Sequence, residues 1–184
     1  MAATPADVTG FWAKAGPDKW WTKSVAFDDA IRLRFEPVHH AAARSEHADW
    51  EATAEGALAL ILLFDQFPRN LYRSSAHAFA TDPLARRIAR DALETGKDRA
   101  TTAELRSFFY MPFMHAEDLA DQDLAVSLFE TYDADTGELS NLKYAVEHRE
   151  IIRRFGRFPH RNPMLGRAMT AEERVFLDGG GFAG

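Results

Sequence analysis

The stretch Gly56-Ala-Leu-Ala-Leu-Ile-Leu-Leu-Phe64 constrains the fold more than any other part of the chain. After the leading glycine it is apolar at every position, so a helix built from it has no polar face to turn toward water. It is also far too short to cross a bilayer, which takes about 20 apolar residues. Such a helix has to be surrounded by others. The segment from about Asp49 to Gln66 is therefore expected to be a buried central helix. It is expected to stop at Phe67-Pro68, because proline disfavours helical geometry in the residue before it.

The remaining sequence reads as helices that could surround it. Strand-like alternation bounded by turn residues is missing. Val8, Phe11 and Trp12 mark one side of a helix over Ala6 to Lys14, broken by Gly16-Pro17-Asp18. Ser24 can cap a helix carrying Phe27, Ile31, Phe35 and Val38. Thr81-Asp82-Pro83 is a helix start, with Gly96 as the matching stop. Thr101-x-x-Glu104 and Thr170-x-x-Glu173 both read as capping boxes. Helices are expected over Glu117 to Tyr132 and Glu138 to Phe155, with Asp133 to Gly137 as the loop between them. Composition never shifts along the 184 residues. The expected fold is all-α: one domain over residues 1–178, made of packed antiparallel helical hairpins, followed by a loose Gly-rich tail over 179–184.

Composition excludes several function classes. The chain has no cysteine, which removes disulfides, thiolate zinc sites and thiol nucleophiles and suits a reducing cytoplasm. Met1 to Asp7 has neither the basic nor the apolar region of a signal peptide, so a cytoplasmic location without membrane association is expected. The net charge of -6 argues against a general nucleic-acid binder. No phosphate-cradling glycine motif and no G-x-S-x-G occurs, and no cofactor is expected.

One phrase occurs twice. Phe64-Asp-Gln-Phe-Pro-Arg-Asn70 is echoed by Phe155-Gly-Arg-Phe-Pro-His-Arg-Asn162, with one residue inserted. Each reads as an apolar helix ending at F-x-x-F-P. Two similar helix stops would explain the echo. So would a pseudo-symmetric pair of helix ends presenting polar groups to one cleft. Three segments, Leu63 to Arg73, Phe109 to Asp118 and His148 to Asn162, carry a family resemblance as well. The chain resembles the bacterial family labelled "domain of unknown function 924" from about Phe11 to Leu177. The resemblance implies an all-helical, TPR-like arrangement and no particular activity. No regular 34-residue repeat accompanies it.

The polar residues of these motifs are the candidate site. At 100° per residue, Tyr144, Ala145, His148, Ile151, Ile152 and Phe155 share one broad arc, which turns His148 inward. His148 is either a hydrogen-bonded core histidine or a neutral imidazole facing a pocket. Asp65 lies near a helix C-terminus, where the dipole disfavours it, and calls for a cation from Arg69, Arg157 or Arg161. It either locks helix ends together or orients a catalytic histidine. His115, Glu117 and Asp118 follow a proline break. Capping accounts for the two acids; with His148 the three could instead form an N/O metal site, although the spacing fits no metal-binding motif. Arg149 to Arg167 holds six arginines against one acid, interleaved with Phe155, Phe158 and His160.

Two chemistries follow from these residues. Arg69, Arg149, Arg157, His160 and Arg161 can line a cleft for a small anionic ligand or an acidic peptide end. Alternatively, His148 or His115, oriented by Asp65 or Asp118, can act as the base of a hydrolase-like site. A third reading is a scaffold that docks proteins through Trp20, Trp21 or Trp50. The oligomeric state is left open.

Overall fold

A computed structural model describes residues 3–137 and 141–184. Among them every regular element is helical and no strand occurs. The α-helices are α1 (Pro5–Ala15), α2 (Pro17–Trp20), α3 (Val25–Ala43), α4 (Ala54–Ile61), α5 (Phe67–Leu71), α6 (Asp82–Glu94), α7 (Ala103–Arg106), α8 (Met111–Met114), α9 (Leu119–Thr136), α10 (Leu142–Phe155) and α11 (Ala171–Asp178). The chain divides into two compact units. One comprises Met1–Arg73 and His77–Pro112, the other Ser74–Ala76 and Phe113–Gly184.

In the first unit α4 is the buried helix that its all-round apolarity requires. Gly56 to Ile61 are all buried, and the helix packs against α1, α6 and the 3-10 turn Ala48–Ala52. Gly56 is needed for that approach, since a Cβ there would lie 2.0 Å from the backbone oxygen of Trp50. An aromatic network fills the space around it. Trp12 stacks on Trp20 and meets Phe27, Phe67 and Phe108.

The expected stop at Phe67-Pro68 is not where the helix ends. Leu62–Gln66 form a π turn, and α5 continues through Pro68 to Leu71. In the π turn the Phe67 N–H reaches back to the Leu62 carbonyl. The next donor would be the N–H of residue 68, offered to Leu63 in π register or Phe64 in α register. Proline has none. Two side chains supply donors instead. The Thr81 hydroxyl donates to the Phe64 carbonyl at 2.7 Å, and His39 Nδ1 lies 2.8 Å from the Leu63 carbonyl. The extra residue of the π turn thus lets the chain absorb a proline without breaking.

In the second unit α9 packs along α10. Asp118 caps α9 by accepting from the Asp121 N–H at 3.0 Å. The helix runs through the expected loop to Thr136 and ends on Gly137 in the left-handed region. The expected start of the next helix, at residues 138–140, lies outside the described residues. α10 ends on Gly156, again left-handed (φ 67°). Gly156 is the glycine of the second F-x-x-F-P phrase, so the echoed phrases fold differently: a continued helix in one unit, a true stop in the other.

Of the two expected capping boxes, Thr170 and Glu173 form theirs reciprocally. Thr101 and Glu104 do not. α7 starts one residue late, with Thr102 at the N-cap, and this places Glu104 at the second helical position rather than the third. The stretch 179–184, expected as a loose tail, folds back on its own unit. Gly180 turns with φ 84°, the Gly181 N–H donates to the Phe176 carbonyl at 2.9 Å, and Phe182 packs on Ile151, Ile152 and Phe158.

Candidate functional site

The second unit gathers His115, His148, His160 and Arg161 around two phenylalanines. The helical arc of α10 turns His148 inward, to 5% exposure. Its companion Tyr144, in the first turn of α10, stays half exposed. His148 Nδ1 lies 2.7 Å from the Tyr144 carbonyl, which fixes Nδ1 as the protonated nitrogen and leaves Nε2 as an acceptor. The His148 ring stands 4.5 Å from Phe182, 5.3 Å from Phe158 and 6.5 Å from His115, centroid to centroid. His160 lies 5.6 Å from Phe158 and 5.2 Å from Phe182. The buried Arg161 guanidinium sits 4.4 Å over the Phe158 ring.

The electrostatics follow from this arrangement. Burial, then the neighbouring His115, push the His148 pKa down to about 3 against the opposing Tyr144 carbonyl, with lesser help from Arg161 and His160. His148 is therefore neutral at ordinary pH. The charged groups named here as acting on it are all basic. The Arg161 charge acts on the Glu117 carboxylate as well, so the locus carries both signs.

Arg69, Arg157 and Arg149 each face carboxylates. Arg69 forks onto Asp82 at 3.0 and 3.1 Å, pairs with the fully buried Asp65 at 3.2 Å, and donates to the Asp65 carbonyl. The Gln66 amide also donates to the Asp65 carboxylate, at 2.6 Å. Of the cations offered to Asp65 by the sequence, Arg69 meets it. Arg157 forks onto Glu173 at 2.6 and 2.9 Å and caps the Ala168 carbonyl. With the Arg157 hydrogen bond as main cause, the buried Glu173 carboxyl is lowered to about 2. Arg149 lies 3.6 Å from Asp123.

Arg167, which the sequence reading left without a role, grips Glu117 with two bonds of 2.6 and 2.9 Å. Glu117 also accepts from the Phe158 N–H at 2.8 Å, which fixes the backbone under the aromatic cage. Burial pushes the Glu117 carboxyl up, but the Arg167 and Phe158 donors outweigh it and the group titrates below its ordinary range. Phe158 and Phe182 are the cage residues. Phe158 stands in the recurring phrase, whereas Phe182 follows a glycine run that reads as unstructured. Among the described residues no group of three or more histidines and acids could hold a metal ion, and no helix is long and apolar enough to cross a membrane.

The tryptophans divide by depth. Trp50 is buried and stacks on His47, Trp20 donates to the Trp12 carbonyl at 2.8 Å, and Trp21 is 56% exposed.

The three histidines, Arg161, Phe158 and the Glu117–Arg167 pair belong to a stretch that carries a family signature, and Phe182 lies just beyond it. The match to that signature, described as "Bacterial protein of unknown function (DUF924)", runs over residues 8–181. The chain belongs to the DUF924 family. A solved structure of a protein of unknown function from Agrobacterium tumefaciens is 52% identical to it, with a TM-score of 0.89. The alignment covers 95% of this chain and 97% of that one. No curated protein matches the chain. Membership in DUF924 therefore brings a fold and no activity.

Proposed function

We propose that this DUF924 chain is a binding protein whose second unit takes a small anionic ligand at His148, His160 and Arg161, with His115 at the edge. The observation that carries the reading is the convergence of three imidazoles and a guanidinium on the Phe158 ring and its surroundings. The guanidinium supplies fixed charge, His148 lines the site with its ring, and the other imidazoles can donate an N–H in the matching tautomer. Arg69 and Arg157 leave the expected ligand set, since each is engaged with buried carboxylates. The hydrolase-like alternative has less support. The orienting partner of His148 is a carbonyl, not a carboxylate, and a base with a pKa of about 3 is poorly matched to proton abstraction near neutral pH.

A thermal-shift screen with phosphate, sulfate, acetate and dicarboxylates tests this. An anion at about 100 times its dissociation constant stabilises by about 2.7 kcal/mol, a rise of roughly 5–10 °C for a chain of this size. The rise should vanish in Arg161→Ala and His148→Ala. A rise retained in both folded variants, or no rise with any anion, sinks the reading.

A further inference from the structure

In the first unit, α3 and α6 end in the same hydrogen-bond pattern with different residues at the turning point. After α3 the Ser45 N–H donates to the Ala42 carbonyl at 2.8 Å and the Glu46 N–H to the Ala41 carbonyl at 3.1 Å. After α6 the Gly96 N–H donates to the Leu93 carbonyl at 3.2 Å and the Lys97 N–H to the Ala92 carbonyl at 2.9 Å. Both are Schellman ends, whose turning residue is left-handed and usually glycine. Gly96 has φ 69° and Ser45 has φ 64°. A side chain in that conformation costs stability that glycine would spare. Nothing inside the protein offsets the cost at Ser45, whose hydroxyl makes no hydrogen bond to any described residue.

The hydroxyl lines a cavity instead. Ser45, His47 and the Glu51–Arg87 pair form its polar wall, and Leu60, Phe64 and Leu84 form its apolar floor. Its volume is about 30 Å³, room for roughly two or three water-sized groups. His47 stacks on the buried Trp50 at 4.5 Å, with 23° between planes, which holds the ring while neither of its nitrogens bonds to a described residue. Arg87 forks onto Glu51 at 2.7 and 2.9 Å, so the two charges of the wall already compensate each other.

We infer that this cavity is a binding site for a neutral short-chain compound with a hydroxyl head. A charged head would have to break the Glu51–Arg87 fork or stay uncompensated beside it. A hydroxyl needs no counter-charge, and it both donates and accepts. The Ser45 hydroxyl and the His47 ring, each with a donor and an acceptor to spare, match it, and a tail of roughly two or three carbons fills the floor. The serine then stands at a glycine position for the sake of its ligand, at the expense of stability. The site lies within the first unit and is independent of the anion-binding reading.

The experiment combines melting temperatures with an NMR titration of the full chain and of Ser45→Gly. The probes are n-propanol and its charged counterparts, propionate and propylammonium. The signals read are the His47 ring and the Leu60 and Leu84 methyl groups. In the unaltered chain n-propanol is expected to shift all of them saturably, and the two ions much more weakly. Ser45→Gly is expected to melt about 2–4 °C higher and to bind n-propanol about two- to tenfold more weakly, the loss of one hydrogen bond. No saturable shift in the unaltered chain overturns the site. Either ion binding as tightly as n-propanol overturns the neutral head. A Ser45→Gly chain that melts lower, or that binds n-propanol unchanged, overturns the argument from the serine. Should Ser45→Gly not be recovered folded, His47→Phe carries the comparison, since it keeps a ring on Trp50 and loses both nitrogens, and unchanged binding there overturns the site as well.

Discussion

His39 Nδ1 lies 2.8 Å from the carbonyl oxygen of Leu63, one of the two carbonyls to which Pro68 can offer no N–H. The bond fixes the His39 tautomer with its proton on Nδ1, and it makes a buried histidine of α3 part of the central helix's hydrogen bonding. Replacing His39 with leucine leaves a buried carbonyl without that donor, at a cost of about 1–3 kcal/mol. Thermal unfolding should show a drop of roughly 2–12 °C, and Thr81→Val, which strips the donor from Phe64, should fall in the same range. His39→Gln, whose amide can donate, should lose less. A His39→Leu variant as stable as the unaltered chain would mean that the Leu63 carbonyl is satisfied in another way.

The same region shows where sequence reading succeeds and where it stops. The all-apolar run identified α4 as central because burial is a property of composition, legible one residue at a time. The π turn was not legible. Proline reads as a helix stop unless donors from elsewhere in the chain, here His39 and Thr81, replace what it removes, and those partners are 29 and 13 residues away from Pro68 in the sequence. His39 itself was within reach, four residues after Phe35 on the same face of α3, yet the apolar Val38 drew the prediction. At the site, periodicity placed His148 inward. It could not say which arginines were already engaged, because Glu173 and Glu117 announce themselves as helix-start residues, not as partners of Arg157 and Arg167.

The buried histidines make the protein sensitive to acid. The His148 pKa is lowered to about 3, and that of His39 is lowered as well, chiefly by burial. In the unfolded chain both titrate near the ordinary histidine value of about 6.5. Below that value the unfolded state binds protons that the folded state refuses. Stability is therefore full above about pH 6.5 and declines as pH falls, by at most about 1.4 kcal/mol per pH unit for each histidine. The depressed carboxyls of Glu117 and Glu173 also lose their contribution in acid, but only below the ordinary carboxylate range. Denaturant unfolding between pH 6.5 and 5 thus isolates the histidines. His148→Phe should flatten the slope in that window, and an unchanged slope would place the titrating groups elsewhere.

Glu117 and Arg167 should act as one unit. Their two bonds and the Phe158 N–H converge on a single half-buried carboxylate. Removing either partner strands the other, so Glu117→Gln and Arg167→Met should each destabilise, while the double variant should cost clearly less than their sum. A coupling of about 1–3 kcal/mol is expected from the double-mutant cycle. Because Glu117 also holds the backbone of Phe158, Glu117→Gln should shift the His148 ring signals in NMR more than Arg167→Met does. Additive costs, with coupling near zero, would reduce the pair to a surface contact.

Gly56 is the position where the central helix tolerates least. It is the third residue of α4, fully helical, so its glycine is not there for an unusual backbone angle. Helix propensity alone favours alanine by about 1 kcal/mol. The geometry reverses that preference. A methyl group at residue 56 would stand 2.0 Å from the Trp50 carbonyl oxygen and 2.9 Å from the Thr53 hydroxyl that caps the helix. The nearest atoms are backbone, which cannot swing aside as a side chain can. Relief requires moving either the 3-10 turn Ala48–Ala52 or the first turn of α4, and both are tied to the buried Trp50 and to the Thr53 cap. Gly56→Ala should therefore destabilise by at least about 3 kcal/mol, at the upper end of overpacking costs, and should slow or abolish recovery of soluble protein. Gly10, on α1 with open space around its Cβ position, is the control. Gly10→Ala should be neutral or stabilising by up to about 1 kcal/mol. Equal melting temperatures for the two variants would show that the 48–56 segment yields more readily than its packing implies.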